Sequence, residues 1–255
     1  MSLPTLYAPR IGDLPAGSMV ALDPDEARHL KTLRLRPGDR VRVTDGAGVA
    51  AVAELASSAK GEVACVLQDR LPTSPVPPVD LAFGVANKER TLWLVEKSVE
   101  LGVRELQPVE FERSRSVADS ARSGAFWRRA RRRAVAALKQ SGGSHLPEIR
   151  PVAGLASWLE SGSQAGTRLL ASENGGCSLD QWIRDRDWSG GLALLVGPEG
   201  GLTPRETDAC ASAGLASVHL GPRTLRFETA GVAGLTVLSL RHGDSSGLSG
   251  PDSTQ

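Results

Sequence analysis

Four prolines fall within the nine residues Leu71 to Val79 (LPTSPVPPV), and they divide the chain into two parts of different rhythm. A proline fixes its own φ, offers no N–H and pushes the residue before it toward extended backbone. Such a stretch continues neither a helix nor a strand ladder and reads as a semi-rigid connection. The reading is therefore a first domain over 1–72, a linker over 73–79, a second domain over 80–243, and a polar Gly/Ser-rich tail over 244–255 expected to be disordered.

Before the prolines the pattern is one of short strands and turns. Pro37-Gly38-Asp39 is a turn signal, and the alternating Arg40-Val41-Arg42-Val43 follows it. Asp45-Gly46 marks a second turn before a strand at Val49 to Leu55, and Lys60-Gly61 leads to a third at Glu62 to Leu67. This spacing points to a small β-barrel or sandwich. One short helix, Pro24 to Leu33, interrupts it, with Asp23 placed to cap it. After the prolines, apolar strands alternate with helices. Strands are expected at Leu81–Val85, Leu106–Val109, Arg168–Ala171, Leu192–Val196 and Val218–Leu220, and helices at Lys88–Leu101, Arg122–Gln140, Leu155–Leu159, Pro204–Ala213 and Glu228–Leu240. Thr203 with Glu206 forms a capping box ahead of the fourth of these helices. The alternation predicts an α/β domain with a largely parallel sheet.

Two loops in that second part carry chemistry. In Leu195-Val196-Gly197-Pro198-Glu199-Gly200-Gly201-Leu202 a buried strand runs into three glycines and then a capped helix. Ligands of α/β sheets bind at the carboxyl ends of strands, and glycines let backbone groups approach them. No Gly-Lys-Ser/Thr follows and the spacing is not GxGxxG, so neither a phosphate loop nor a dinucleotide fingerprint is present. Glu199 suits a neutral or cationic ligand. In Leu220-Gly221-Pro222-Arg223-Thr224-Leu225-Arg226-Phe227-Glu228-Thr229-Ala230 two arginines and a glutamate crowd a loop that opens a helix. Taken singly, each loop can also be a plain strand-to-helix turn.

The two loops in this order resemble the signature of the SPOUT methyltransferases, most closely the RsmE family. Further similarity lies in His29-Leu30, Leu33-Arg34, Pro37-Gly38-Asp39 and Asp45-Gly46, in Glu96 to Val103 (EKSVELGV), and in Leu146-Pro147-Glu148-Ile149. The resemblance implies a PUA-like N-terminal barrel, a C-terminal α/β domain threaded as a trefoil knot, and a homodimer. It implies S-adenosylmethionine as cofactor and N3 of a uridine in 16S ribosomal RNA of the small subunit as the methylated atom. By the match, cofactor contacts fall to Leu195, Gly197, Pro198, Glu199, Gly200, Gly201, Leu220, Gly221, Leu225, Thr229 and Ala230. Arg226 is the candidate to stabilise charge developing on the uracil oxygens. Glu228 is a candidate base, or a partner that holds Arg226. Thr5, Gly143 and Phe227 depart from the family pattern.

Charge distribution fits an RNA substrate. Formal net charge is +1, yet residues 113–150 hold ten basic side chains against two acidic. Arg28, Arg34, Arg115, Arg128, Arg129, Arg132 and Gln140 are the expected RNA contacts, through phosphates above all; Trp127 could stack on a base and His145 could touch RNA. Cys65, Cys177 and Cys210 form no CxxC and the histidines show no ligand spacing, so no metal site is expected. Neither a signal peptide nor a membrane span is apparent, and the expected compartment is the cytoplasm. Competing readings are a non-enzymatic RNA-binding protein, a dinucleotide-dependent oxidoreductase, and a SPOUT enzyme acting on transfer RNA or a ribose 2′-hydroxyl.

Overall fold

A computed structural model describes residues 3–57, 63–85, 87–114, 124–161, 165–174, 176–184 and 186–246. The chain divides into two units. One comprises 1–75 with 134–146, the other 76–133 with 147–255. The first break falls inside the proline-rich stretch. Residues 134–146, which the sequence reading leaves with the second domain, group with the first unit.

In the first unit, strands β1 (Thr5–Tyr7), β2 (Met19–Ala21), β3 (Arg40–Thr44), β4 (Ala50–Ser57) and β5 (Val63–Leu71) form one sheet in the order β1-β3-β4-β5-β2. Helix α1 (Pro24–Leu33) has the expected bounds. Asp23 caps it by accepting from the amides of Asp25 and Glu26, both at 2.9 Å. Arg34 closes it at φ 58°, the only non-glycine among the described residues with positive φ. Alternation along β3 turns Val41 and Val43 into a core with Leu6, Ile11, Ala53 and Cys65. Residues 134–146 are tied to this unit by hydrogen bonds and an ion pair. The Lys139 ammonium meets buried Glu26 at 2.6 Å, Arg42 donates to the Gly143 carbonyl at 3.0 Å, and Ala47 pairs with His145.

The second unit is a sheet of parallel strands: β6 (Val79–Gly84), β7 (Glu105–Glu110), β8 (Glu148–Ile149), β9 (Ala153–Gly154), β10 (Thr167–Ala171), β11 (Cys177–Ser178), β12 (Leu192–Val196) and β13 (Ala216–His219). Their order is β11-β13-β10-β12-β6-β7-β8, with β9 also on β7. All residues of β6 and β12 are buried, as a parallel sheet covered on both faces requires. Helices α2 (Lys88–Glu100) and α7 (Phe227–Ser246) cover one face, where Gly231 lies against Leu94 and Leu81, and Gly234 against Leu194. Helices α4 (Leu155–Ser161) and α6 (Pro204–Ser212) cover the other, where Leu155, Trp158 and Cys210 pack on Leu170, Ala193 and Leu195. Helix α3 (Gly124–Ser141) begins in this unit, where it buries Phe126 and Ala130 and turns its arginines outward, and from Ala134 on it belongs to the first unit. Helix α5 (Leu179–Arg184) completes the set.

Two expectations need correction. Residues 244–246, read as tail, continue α7. Arg241 donates to Asp180 of α5 at 2.5 and 2.9 Å, and this anchor holds the last turns in helix despite Gly243. The strand expected at Val218–Leu220 instead spans Ala216–His219, which frees Leu220 for the loop. The rest of the expected tail, 247–255, lies outside the described residues. No helix among the described residues is long and apolar enough to cross a membrane.

Where α7 crosses β12, a Cβ at Gly234 would overlap Leu194 Cδ2 in the core. Gly234→Ala gains helix propensity of up to about 1 kcal/mol but overpacks at about 1–3 kcal/mol. Net destabilisation near 1–2 kcal/mol is expected in urea titration, and an unchanged midpoint would refute this packing.

Candidate functional site

Strands β10, β12 and β13 lie side by side and parallel, so their carboxyl ends release three loops at one edge of the sheet. Together these loops line a cavity of about 720 Å³, within the range of small-molecule sites. The Gly-rich loop follows β12. Its Gly201 adopts φ +66° and donates its amide to the Pro198 carbonyl at 2.8 Å, which turns the chain back toward α6. The capping box forms as expected. The Thr203 amide donates to Glu206 at 2.8 Å, and the Glu206 amide donates to the Thr203 hydroxyl at 3.3 Å. Gly84, at the end of β6, sits so close to this loop that a Cβ there would come within 2.5 Å of the Pro198 nitrogen.

The second loop, Leu220 to Arg226, leads from β13 into α7. Phe227 opens the helix with its ring buried and facing the cavity, so the bulky departure from the family pattern is a lining group. Of the expected cofactor contacts, Gly197, Pro198, Glu199, Gly201, Leu220, Gly221, Leu225 and Ala230 line the cavity. Leu195 does not: its side chain is fully buried in the core under α4 and α6. At Gly200 a Cβ would face Arg113, not the cavity. Thr229 and Glu228 line a shallower depression beside it, with Glu89, Arg90 and Trp93.

Several lining groups escape sequence reasoning. The loop after β10 contributes Ser172, Glu173 and Asn174. It has no glycine signature, though its place at a strand's carboxyl end was a usable cue. His219 lines the cavity and leaves its buried Nδ1 without a hydrogen-bond partner. Arg113 reaches 87 residues along the chain to donate to the Gly200 carbonyl at 2.8 Å. Glu206 also accepts from the Glu112 amide at 2.7 Å, so the short 3₁₀ turn Glu112–Ser114 braces the Gly-rich loop from outside.

Charges at the site are arranged around Arg90 of α2. Its guanidinium pairs with Glu199 and lies 3.7 Å from Glu228. Glu228 is only 8% exposed, and its Oε2 has no hydrogen-bond partner. Arg226 lines the cavity as an exposed side chain and makes no ion pair with Glu228. Burial pushes the Cys210 thiol up to about 11, which marks it as core and not as a nucleophile.

The RNA methyltransferase domain family matches residues 72–239, and the RNA methyltransferase PUA domain family matches 22–68. The ribosomal RNA small subunit methyltransferase E of Mycobacterium bovis is 30% identical over 226 residues, 86% of this chain and 85% of that protein. The chain belongs to the small subunit methyltransferase E family. The Bacillus subtilis member is 25% identical, over 84% of this chain and 87% of its own. The solved Neisseria gonorrhoeae member, bound to S-adenosyl methionine, superposes with a TM-score of 0.82 at 31% identity, covering 94% of this chain and 98% of that one.

Within this family fold, the expected RNA contacts of the present chain fall into separate groups. On α3, Arg129 pairs with Glu89 at 2.8 Å and Arg133 with Glu96 at 3.2 Å, both on α2. Arg128 and Arg132, one turn apart, are exposed. Trp127 is half-buried, edge-on to Phe126 at 4.9 Å. In the first unit Arg28 pairs with Asp25 at 2.9 Å, while Arg34 and Gln140 are exposed. Burial lowers the His145 pKa, which disfavours the charged form of the ring. Arg115 lies outside the described residues. Among the described residues no group of three His, Cys, Asp or Glu side chains is arranged to hold a metal ion.

Because the Pro198 backbone cannot yield as a side chain can, Gly84→Ala should displace the Gly-rich loop. Affinity for S-adenosylmethionine is expected to fall at least tenfold, about 1.4 kcal/mol, with the far-ultraviolet dichroism retained. Unaltered affinity by calorimetry would show that this approach does not shape the cavity.

Proposed function

We propose that this chain transfers a methyl group from S-adenosylmethionine to N3 of a uridine in 16S ribosomal RNA, acting in the cytoplasm as a homodimer. The observation that carries the reading is the convergence of both glycine-bearing loops on one cavity. Relatives named ribosomal RNA small subunit methyltransferase E, and the cofactor in the Neisseria structure, support it.

The lining fits that cofactor. Backbone at Gly197, Gly201 and Gly221 offers donors and acceptors, while Leu170, Leu202, Leu225 and Phe227 offer apolar surface for a nucleoside and a thioether chain. The Glu199 carboxylate suits a ligand that carries positive charge. When bound, S-adenosylmethionine supplies a methyl already activated on a sulfonium. The chain's own task is then to hold N3 in line with it and to accept the N3 proton. Glu228 has a buried carboxylate oxygen with no other partner and is the candidate acceptor. Arg226, exposed at the cavity and free of a carboxylate partner, is the candidate to stabilise negative charge on the uracil oxygens. The trefoil threading goes with this reading through the family resemblance.

The homodimer has its own support. Helix α7 is apolar on nearly every side, yet Leu240 is 65% exposed, and Trp93 on the adjoining α2 is 43% exposed. A helix of that composition calls for cover on both sides.

Mass-spectrometric mapping of ribosomal RNA nucleosides, with and without the protein, tests the proposal. Loss of one N3-methyluridine is expected in its absence, and an unchanged methylation pattern would sink it. In purified enzyme Arg226→Ala should lower kcat by about 10²-fold or more and leave cofactor affinity within twofold. For phosphate contact, the paired state of Arg129 and Arg133 singles out their neighbours. Replacing Arg128 and Arg132 together by alanine should flatten the salt dependence of RNA binding by about 1.4–1.8 logarithmic units per decade. The Arg129/Arg133 pair should change the slope less, and equal changes would remove the distinction.

A further inference from the structure

Arg90 lies on neither of the loops that the sequence singles out, yet it touches both. It stands in the first turn of α2, after the Asn87 cap, and so projects from the carboxyl end of β6. Its guanidinium pairs with Glu199 of the Gly-rich loop and lies 3.7 Å from Glu228 at the start of α7. It lines the main cavity and the shallower depression over Glu228 alike. Without it, two carboxylates would share one edge of the site with no cation within reach in the described structure. Neither Arg223 nor Arg226 makes an ion pair there.

We propose that Arg90 is a positioning residue that locks the methyl-donor loop to the proton-accepting carboxylate. The inference rests on the function proposed above. The planar guanidinium carries donors on several nitrogens, which lets one side chain serve two carboxylates from different elements. The ion pair with Oε1 at 3.7 Å draws the Glu228 carboxylate toward Arg90 and leaves the buried Oε2 without a partner. Engaging Glu199 sets the position of Gly197 to Gly201 against β6. A lysine could neutralise charge but, as a single point, could not hold both groups at once.

The two contacts have unequal exposure, which separates their readouts. Glu199 is 45% exposed in its side chain, so its pairing contributes little to affinity. Glu228 is 11% exposed in its side chain, and a misplaced acceptor costs turnover. Methyl transfer to small ribosomal subunits is measured first on the native protein; a protein without that activity overturns the function and this inference together. Given activity, Arg90→Ala should weaken cofactor binding by about two- to fivefold and lower kcat by about 10- to 100-fold, at an unchanged melting temperature. Arg90→Lys should recover the binding but not the kcat. In single-turnover measurements on a Glu228→Gln background, adding Arg90→Ala should lower the rate less than twofold. An Arg90→Ala enzyme with native kcat, full rescue by lysine, or multiplicative losses in the double variant would each overturn the positioning role while leaving the methyltransferase reading intact.

Discussion

Everything at this site depends on the parallel pairing of two fully buried strands. Leu192 to Val196 runs in register with Val79 to Phe83, and every side chain of that pair is covered. Parallel pairing sends both carboxyl ends the same way, so Gly84 and Gly197 emerge together. Burial on both faces fixes register firmly, because a slip by one residue would exchange the side chains facing α7 for those facing α4 and α6. Leu194 belongs to the first set, and Ala193 with Leu195 to the second. The close approach of Gly84 to Pro198 follows from this registry. The glycines are thus needed by strand packing as much as by any ligand.

Around that apolar frame the polar contacts work at longer range. Arg113 and Glu206 brace the Gly-rich loop from outside, and Arg90 meets it from the cavity side. The loop is thereby held from both sides, which suits a site that must align reacting atoms to a fraction of an ångström. The arginines of α3 follow a similar economy. Two of them match glutamates on α2, which leaves the density of free charge on that helix lower than a count of arginines implies. Salt bridges of this exposed kind add little stability, but they decide which side chains are available to a polyanion.

Legibility in the sequence followed the range of the interactions. The bounds of α1 and β12 and the capping box at Thr203 could be read directly, since caps and apolar runs are local signals. The three-residue strands β1 and β2 could not, being too short to show a period; β1 exists because it pairs with β3 some 37 positions away. Helix α5, six residues long, has the same difficulty. At the site Gly197, Gly201, Gly221 and Arg226, which line the cavity, were legible from spacing and resemblance. Arg90, Arg113 and the Ser172–Asn174 loop were not, because their contacts join segments about 50 to 110 residues apart. Leu195 entered the expected cofactor contacts through the resemblance alone, which carries a motif but not the burial of each of its side chains.

One consequence concerns the pairing of Arg226 with Glu228, two residues apart at a helix start. Proximity in sequence suggests that the carboxylate holds the guanidinium, but residues at i and i+2 of a helical turn point in different directions. Glu228 turns inward, where α2 supplies its cation, and Arg226 stays outside the first turn with its donors free. Under the proposed function, separate surroundings would let the two groups meet opposite demands, one accepting a proton and the other attracting the charge left behind. A mutual ion pair would have occupied both. The segregation comes from Arg90, on an element that lies more than a hundred residues earlier in the chain.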